Sequence, residues 1–200
     1  LAKGIGDTGK SRSERQRAHC LFQLRRYPEA AAAFAQWRAS DESSELWYTR
    51  SLARSGQVEE AMRGFEALIE RATDFSVRTE AHYLVGTLYE GRDFIEEATR
   101  HYQAVAETPA NSKYRADARW KLGWMAYRAG NGTEARRHFA LFASIAPSPT
   151  ERLQAHYWTA RSMEVENNFW EAQKIFIEIV RAAPLSYYGW RAAERIKNTA

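Results

Sequence analysis

One pattern is written three times at a spacing of 37 between residues 76 and 186. Ala81-His82-Tyr83 returns as Ala118-Arg119-Trp120 and again as Ala155-His156-Tyr157. Downstream, Glu97-Ala98 with Tyr102 returns as Glu134-Ala135 with Phe139, then as Glu171-Ala172 with Phe176. Each unit closes near a proline: Pro109, Pro147 and Pro184. A fixed period of this length, with helix-compatible content, predicts a stacked solenoid, because one such unit cannot bury its apolar side alone.

The chain of 200 residues has room for five to six units of that kind. Its mean hydropathy is −0.61, and no apolar run approaches the ~20 residues of a membrane helix. The formal charge of +4 comes from interspersed signs, which suits an anionic or zwitterionic partner without requiring nucleic acid. Cys20 has no second cysteine to pair with, and its place in the stretch from Ala18 to Leu24 predicts a small core residue. The opening at Leu1, with neither a methionine nor a signal-peptide pattern, reads as a piece of a longer protein. Seven Trp, ten Tyr and nine Phe exceed what helix pairing alone consumes.

Residues 1–10 read as a flexible, glycine-rich lead-in and 11–200 as a single helical domain. Gly4 to Ser11 fits the phosphate-cradling pattern G-x-x-x-x-G-K-[ST]. That loop needs a buried strand before it and further strands around it, and the sequence has no strand candidate. Helices are expected over 11–25 with 28–39, 43–55 with 58–72, 77–90 with 94–107, 113–129 with 133–145, and 149–166 with 169–182. A last half-unit is expected from Tyr187 to about Lys197. Gly56, Gly91 and Gly130 follow first helices, where a left-handed residue ends a helix without a Cβ clash. Ser148 with Glu151, Asp93 with Glu96 and Asn168 with Glu171 repeat a cap-plus-carboxylate arrangement.

Four columns run through the five units. A small residue stands at Ala18, Thr49, Gly86, Gly123 and Ala160, and an alanine twelve later at Ala30, Ala61, Ala98, Ala135 and Ala172. Four further on come Phe34, Phe65, Tyr102, Phe139 and Phe176, then Trp37, Leu68, Val105, Phe142 and Ile179. With the closing prolines, these columns resemble the tetratricopeptide repeat. The resemblance implies an all-α, right-handed solenoid of five to six helix-turn-helix repeats. Three units run 37 residues rather than that family's usual 34, and the first two alanines are only 31 apart, so irregular stacking is expected.

A narrower resemblance lies at the end. Arg181-Ala-Ala-Pro184-Leu-Ser-Tyr187-Tyr188-Gly189, followed by Ala192, Ala193 and Ile196, is similar to the segment that ends the superhelix of soluble lytic transglycosylases. Ala155-His-Tyr157-Trp158-Thr-Ala160-Arg161 also resembles helices of that family. This implies a non-catalytic, substrate-guiding scaffold of a peptidoglycan-cleaving enzyme, with a lysozyme-like domain downstream and a bacterial periplasmic or envelope location. The family's catalytic glutamate is followed by serine and later by a Gly-Leu-Met-Gln stretch. Glu42-Ser43 is the only Glu-Ser here, nothing of that kind follows it, and Glu42 reads as a turn and cap neighbour. The different-class alternative is an adaptor that binds a protein or peptide in its groove; outside the envelope reading, a cytoplasmic location is expected.

No catalytic residues, metal ligands or cofactor site emerge. His19, His82, His101, His138 and His156 fall in no ligand spacing, and Glu59-Glu60 and Glu96-Glu97 sit at second-helix starts, where they favour the helix dipole. By the repeat resemblance, first helices line a concave face. That register exposes Arg12, Arg15, His19, Arg50, Arg54, Tyr83, Thr87, Glu90, Trp120, Trp124, Tyr127, Arg128, Tyr157, Arg161 and Glu164. Trp120, Trp124 and Tyr127 share one helix face. These rings serve either as packing layers or as a platform for sugar or peptide, with arginines gripping carboxylates. Acids on the same face argue against nucleic acid.

Overall fold

The computed structural model describes residues 3–109 and 112–198, with side chains from Arg12 onward. Among the described residues there are eleven α-helices and no strand. Contacts divide the chain into two compact units, 1–94 and 95–200. The first holds α1 (Lys3–Gln23), α2 (Tyr27–Ala35), α3 (Glu42–Arg54), α4 (Val58–Arg71) and α5 (Phe75–Glu90). The second holds α6 (Ile95–Ala106), α7 (Arg115–Arg128), α8 (Gly132–Ile145), α9 (Pro149–Val165), α10 (Phe169–Ala182) and α11 (Tyr187–Asn198). Within each unit a helix packs mainly on its neighbours in the chain.

The repeat columns are the core. The five alanines of the second helices are at most 1% exposed, and so are the five aromatics four residues on. Each aromatic needs a small residue facing it. In the second unit the Phe139 ring lies so close to Gly123 that a Cβ there would sit 2.7 Å from it. In the first unit Thr49 is the larger member of the small column, and the opposite helix compensates: a Cβ on Gly64 would meet Thr49 Oγ1 at 2.8 Å. Thr49 stays satisfied by donating to the Glu45 carbonyl at 2.9 Å.

Five hairpin turns share one device. Arg25, Gly56, Asp93, Gly130 and Asn167 all have positive φ, between 58° and 88°. The amide of the next residue in each case reaches back five positions: Arg26 to Leu21, Gln57 to Leu52, Phe94 to Tyr89, Asn131 to Ala126 and Asn168 to Met163. This is the Schellman closure, in which a left-handed residue lets the chain satisfy the last helical carbonyls. Gly91, expected to play that part, is ordinary right-handed backbone with φ −64°. Asp93, expected as a helix cap, takes the left-handed position instead, because it stands 37 residues after Gly56.

Other expectations need correction. Cys20 is exposed: Ala18 and Leu21 face the core, and position 20 points to the opposite side of α1. The α1 backbone is helical from Lys3, so the glycine-rich stretch is not an irregular loop of the phosphate-cradling kind. Asn168 occupies the cap of α10 without a side-chain bond. Ser148 does cap α9, accepting from the Glu151 amide at 3.2 Å and donating to its carboxylate at 2.5 Å. Asp41, Asp74 and Asn131 cap α3, α5 and α8.

Two substitutions test this framework by urea denaturation. Gly123→Ala should destabilise by about 1–3 kcal/mol, because the Phe139 ring must leave its rotamer. Arg25→Gly should stabilise by about 1 kcal/mol by relieving the left-handed penalty, with a smaller gain for Asn167→Gly because asparagine tolerates that region.

Candidate functional site

In the first unit α3, α4 and α5 enclose an open cavity of about 420 Å³. Arg50 and Arg54, one turn apart on α3, supply one wall, and Tyr83 and Thr87, one turn apart on α5, supply another. Phe65, Leu84 and Leu88 contribute apolar surface. Four of the sequence-derived candidates, Arg50, Arg54, Tyr83 and Thr87, are therefore brought together.

The two arginines differ in freedom. The Arg50 guanidinium lies 4.1 Å from the Trp47 ring centre and 5.4 Å from that of Phe22, and it pairs with Glu80 at 2.6 Å. It is held by rings on one side and a carboxylate on another. Arg54 is exposed at the cavity rim, and no ion pair ties it down among the described residues. Trp47 also takes the edge of His19 at 4.6 Å. Burial and then the Arg50 charge hold the His19 imidazole below its usual pKa. Neither Trp47 nor Glu80 figured among the sequence candidates. Trp47 stands three residues before Arg50, on the same helix face, and that spacing could have identified it.

The second unit gathers the remaining candidates differently. Trp120 packs on Phe139 and Phe142 at 5.1 and 5.5 Å. Trp124 and Tyr127 lie nearly parallel at 5.8 Å, and Trp158 sets its edge against both, at 4.8 and 5.1 Å. Ring centres this close leave no slot for a ligand between them, although each of the three rings keeps some solvent exposure. Tyr157 is corrected outright as a surface ring: it is 1% exposed, wedged against Phe176 and Tyr188 at 5.6 and 5.5 Å. It occupies the layer between α9, α10 and α11.

Arg161 is engaged too. Its Nε lies 2.7 Å from Glu164 Oε2, close enough to pair the charges but without alignment for a hydrogen bond. Arg195 of α11 donates to the other Glu164 oxygen at 2.7 Å. Glu164 is nearly buried and is thus compensated by two cations. Arg195 went unnoticed in the sequence because it lies 31 residues from its partner. Arg128 is exposed at the end of α7.

Glu42 behaves as a structural carboxylate. It accepts from the Thr73 and Asp74 amides at 2.8 and 2.9 Å, and those bonds hold its pKa below the usual range. Among the described residues no group of three or more His, Cys, Asp or Glu could hold a metal ion. No helix there is long and apolar enough to cross a membrane.

No protein-family profile matches the chain, and no curated protein matches it in sequence. Solved structures match its fold. A kinesin light chain from Podosopora anserina, with nearly identical tetratricopeptide-like repeats, superposes with a TM-score of 0.62 at 20% identity. The match covers 89% of this chain and 97% of that one. MamA protein gives a TM-score of 0.68 at 18% identity over 88% and 94%. The C-terminal part of a tetratricopeptide repeat-containing protein from Cytophaga hutchinsonii gives 0.66 at 15% over 93% and 82%. At these identities the likeness is one of fold. The chain has the all-α, tetratricopeptide-like helical-repeat fold. These likenesses carry the repeat reading and do not extend to the lytic transglycosylase resemblance.

The surroundings of His138 in the second unit set one pH dependence. His138 is buried, its Nε2 lies 3.1 Å from an Arg137 nitrogen, and Nδ1 has no hydrogen-bond partner. Burial, then Arg137 and Arg119, push its pKa down from 6.5 to about 4, against the pull of Glu134. Folding thus favours the neutral ring. That stability is present above pH 6.5 and is lost as pH falls towards 4, because the unfolded chain takes up the proton first. The loss is of order 3 kcal/mol at most. Thermal melts between pH 7 and 4 should show it, and His138→Gln should flatten the slope.

Proposed function

We propose that the chain is a helical-repeat adaptor that holds an acidic stretch of a protein or peptide partner, with the α3–α5 cavity as its anchor. The observation that carries this is the composition of the cavity wall. Arg54 offers a guanidinium not engaged elsewhere among the described residues, beside an Arg50 already fixed in place and the Tyr83 and Thr87 side chains, the Thr87 hydroxyl donating to the Leu84 carbonyl. A guanidinium suits a carboxylate bidentately, and Phe65, Leu84 and Leu88 give a neighbouring apolar group somewhere to rest. The fold supports the reading, since helical repeats present faces of several successive helices to one ligand.

Fluorescence anisotropy with a labelled glutamate-rich peptide tests it. Arg54→Ala should weaken binding by about tenfold with helical content unchanged, since the side chain is exposed. Equal affinity of the two proteins for the peptide would sink the proposal. Arg50→Ala is the less clean variant, because it also strips Trp47 and Glu80 of their partner.

A second reading keeps the lytic transglycosylase resemblance, and one observation favours it. The segment Arg181–Gly189 is built as a specific joint. Ser186 Oγ accepts from the Gly189 amide at 2.9 Å, a Cβ on Gly189 would fall 2.0 Å from the Ala183 carbonyl, and Tyr188 packs on Tyr157. On this reading the chain is the non-catalytic scaffold of a periplasmic peptidoglycan-cleaving enzyme, and its partners include cell-wall glycan and a downstream catalytic domain. Purified muropeptides in place of the acidic peptide distinguish the two. A saturable shift of tryptophan fluorescence, lost in Trp124→Ala, favours the scaffold; no shift leaves the adaptor.

A further inference from the structure

Helix α11 turns one stripe of side chains to solvent. Tyr187 and Trp190 are 63% and 55% exposed, and Glu194 and Lys197 are exposed with them. Their spacing of three, four and three residues keeps all four on one face. The opposite face is already committed. Gly189 and Ala192 are buried, Ile196 joins the core around Tyr157, and Arg195 holds Glu164.

The repeat shows what this face ordinarily does. Counting back 37 residues, Trp190, Glu194 and Lys197 stand where α9 has Leu153, Tyr157 and Ala160. In α9 that face receives α10: Tyr157 and Ala160 are at most 1% exposed, and Tyr157 meets Phe176. On α11 the small position is a lysine and the aromatic position a glutamate. A further repeat helix seated in the same way would set its aromatic on a charged chain instead of on a small residue. The close approach seen between Gly123 and Phe139 is blocked at this face.

A different occupant fits. The stripe is symmetric about the level of Ala192, since Tyr187 and Lys197 are five residues from it, and Trp190 and Glu194 are two. An antiparallel copy of the same helix, related by a twofold axis at that level, sets Tyr187 opposite the second copy's Lys197 and Trp190 opposite its Glu194. An ammonium over a phenol ring and an indole N–H donating to a carboxylate are both favourable pairs, and each forms twice. Leu185, fully exposed just before the helix, adds apolar surface at both ends of the contact. From this complementarity we propose that α11 is a self-association face through which two copies of the chain form a twofold, antiparallel dimer. One helix per copy makes a small interface, so the dimer is weak and concentration-dependent.

Sedimentation equilibrium of the whole chain over a range of micromolar loading concentrations tests this, with circular dichroism to verify the fold. The wild type should move from monomer to dimer as concentration rises. Trp190→Asp sets a carboxylate opposite the second copy's Glu194 and should weaken association about thirtyfold. Adding Glu194→Lys to that variant makes the facing charges opposite and should restore the dimer. A wild type that stays monomeric throughout overturns the proposal. So does a dimer that survives Trp190→Asp, or a double variant that fails to recover it.

Discussion

Everything in this fold depends on one contact, an aromatic ring of a second helix seated on a small residue of a first helix. Gly123 beneath Phe139 shows it directly: a Cβ on the glycine would sit 2.7 Å from the ring. The contact fixes the distance between helices, so the neighbouring alanines can be excluded from water. Where the small residue grows, as at Thr49, the space is recovered on the facing helix by Gly64. The constraint therefore belongs to the pair of helices and not to either sequence position alone.

The same crowding decides which first-helix side chains remain for binding. In the second unit Trp120 packs on Phe139 and Phe142, the rings of Trp124, Tyr127 and Trp158 pack on one another, and Arg161 and Arg195 neutralise Glu164. In the first unit Arg50 is absorbed by Trp47 and Glu80. The chemistry left to solvent is sparse, with Arg54 at its cavity the clearest example. A charge that is paired and desolvated contributes to shape; one left unpaired at a rim is where a partner gains most.

Much of this was legible in the residues because the repeat converts burial into periodicity. All five alanine and all five aromatic positions read from the sequence lie in the core, and the helices fall within a few residues of their expected bounds, except that α1 begins at Lys3, eight residues before its expected start. The turns were harder. Glycine marks the left-handed position at Gly56 and Gly130, but Asp93, Arg25 and Asn167 hold it elsewhere, so composition pointed to Gly91 while register pointed to Asp93. The candidate site was only half visible. Helix-face spacing brings Arg50 near Arg54 and Tyr83 near Thr87, but whether an arginine is free depends on Glu80, thirty residues away. Tyr157 looked like a surface ring because a single sequence gives no sign of which first-helix aromatic is covered by the following hairpin.

The in-phase columns carry a consequence for how such a chain can change length. Gly86 and Gly123, like Tyr102 and Phe139, occupy the same repeat positions and recur at an interval of 37 residues. Cutting out or duplicating a single period of 37 residues at the left-handed turns would rejoin a small residue to an aromatic in register. A deletion of 34 or 40 residues would rotate every following helix and set alanine against solvent. Between Gly56 and Asn167 the chain is thus divisible in steps of 37 residues, which sets how insertion or loss of sequence there can proceed without refolding the rest.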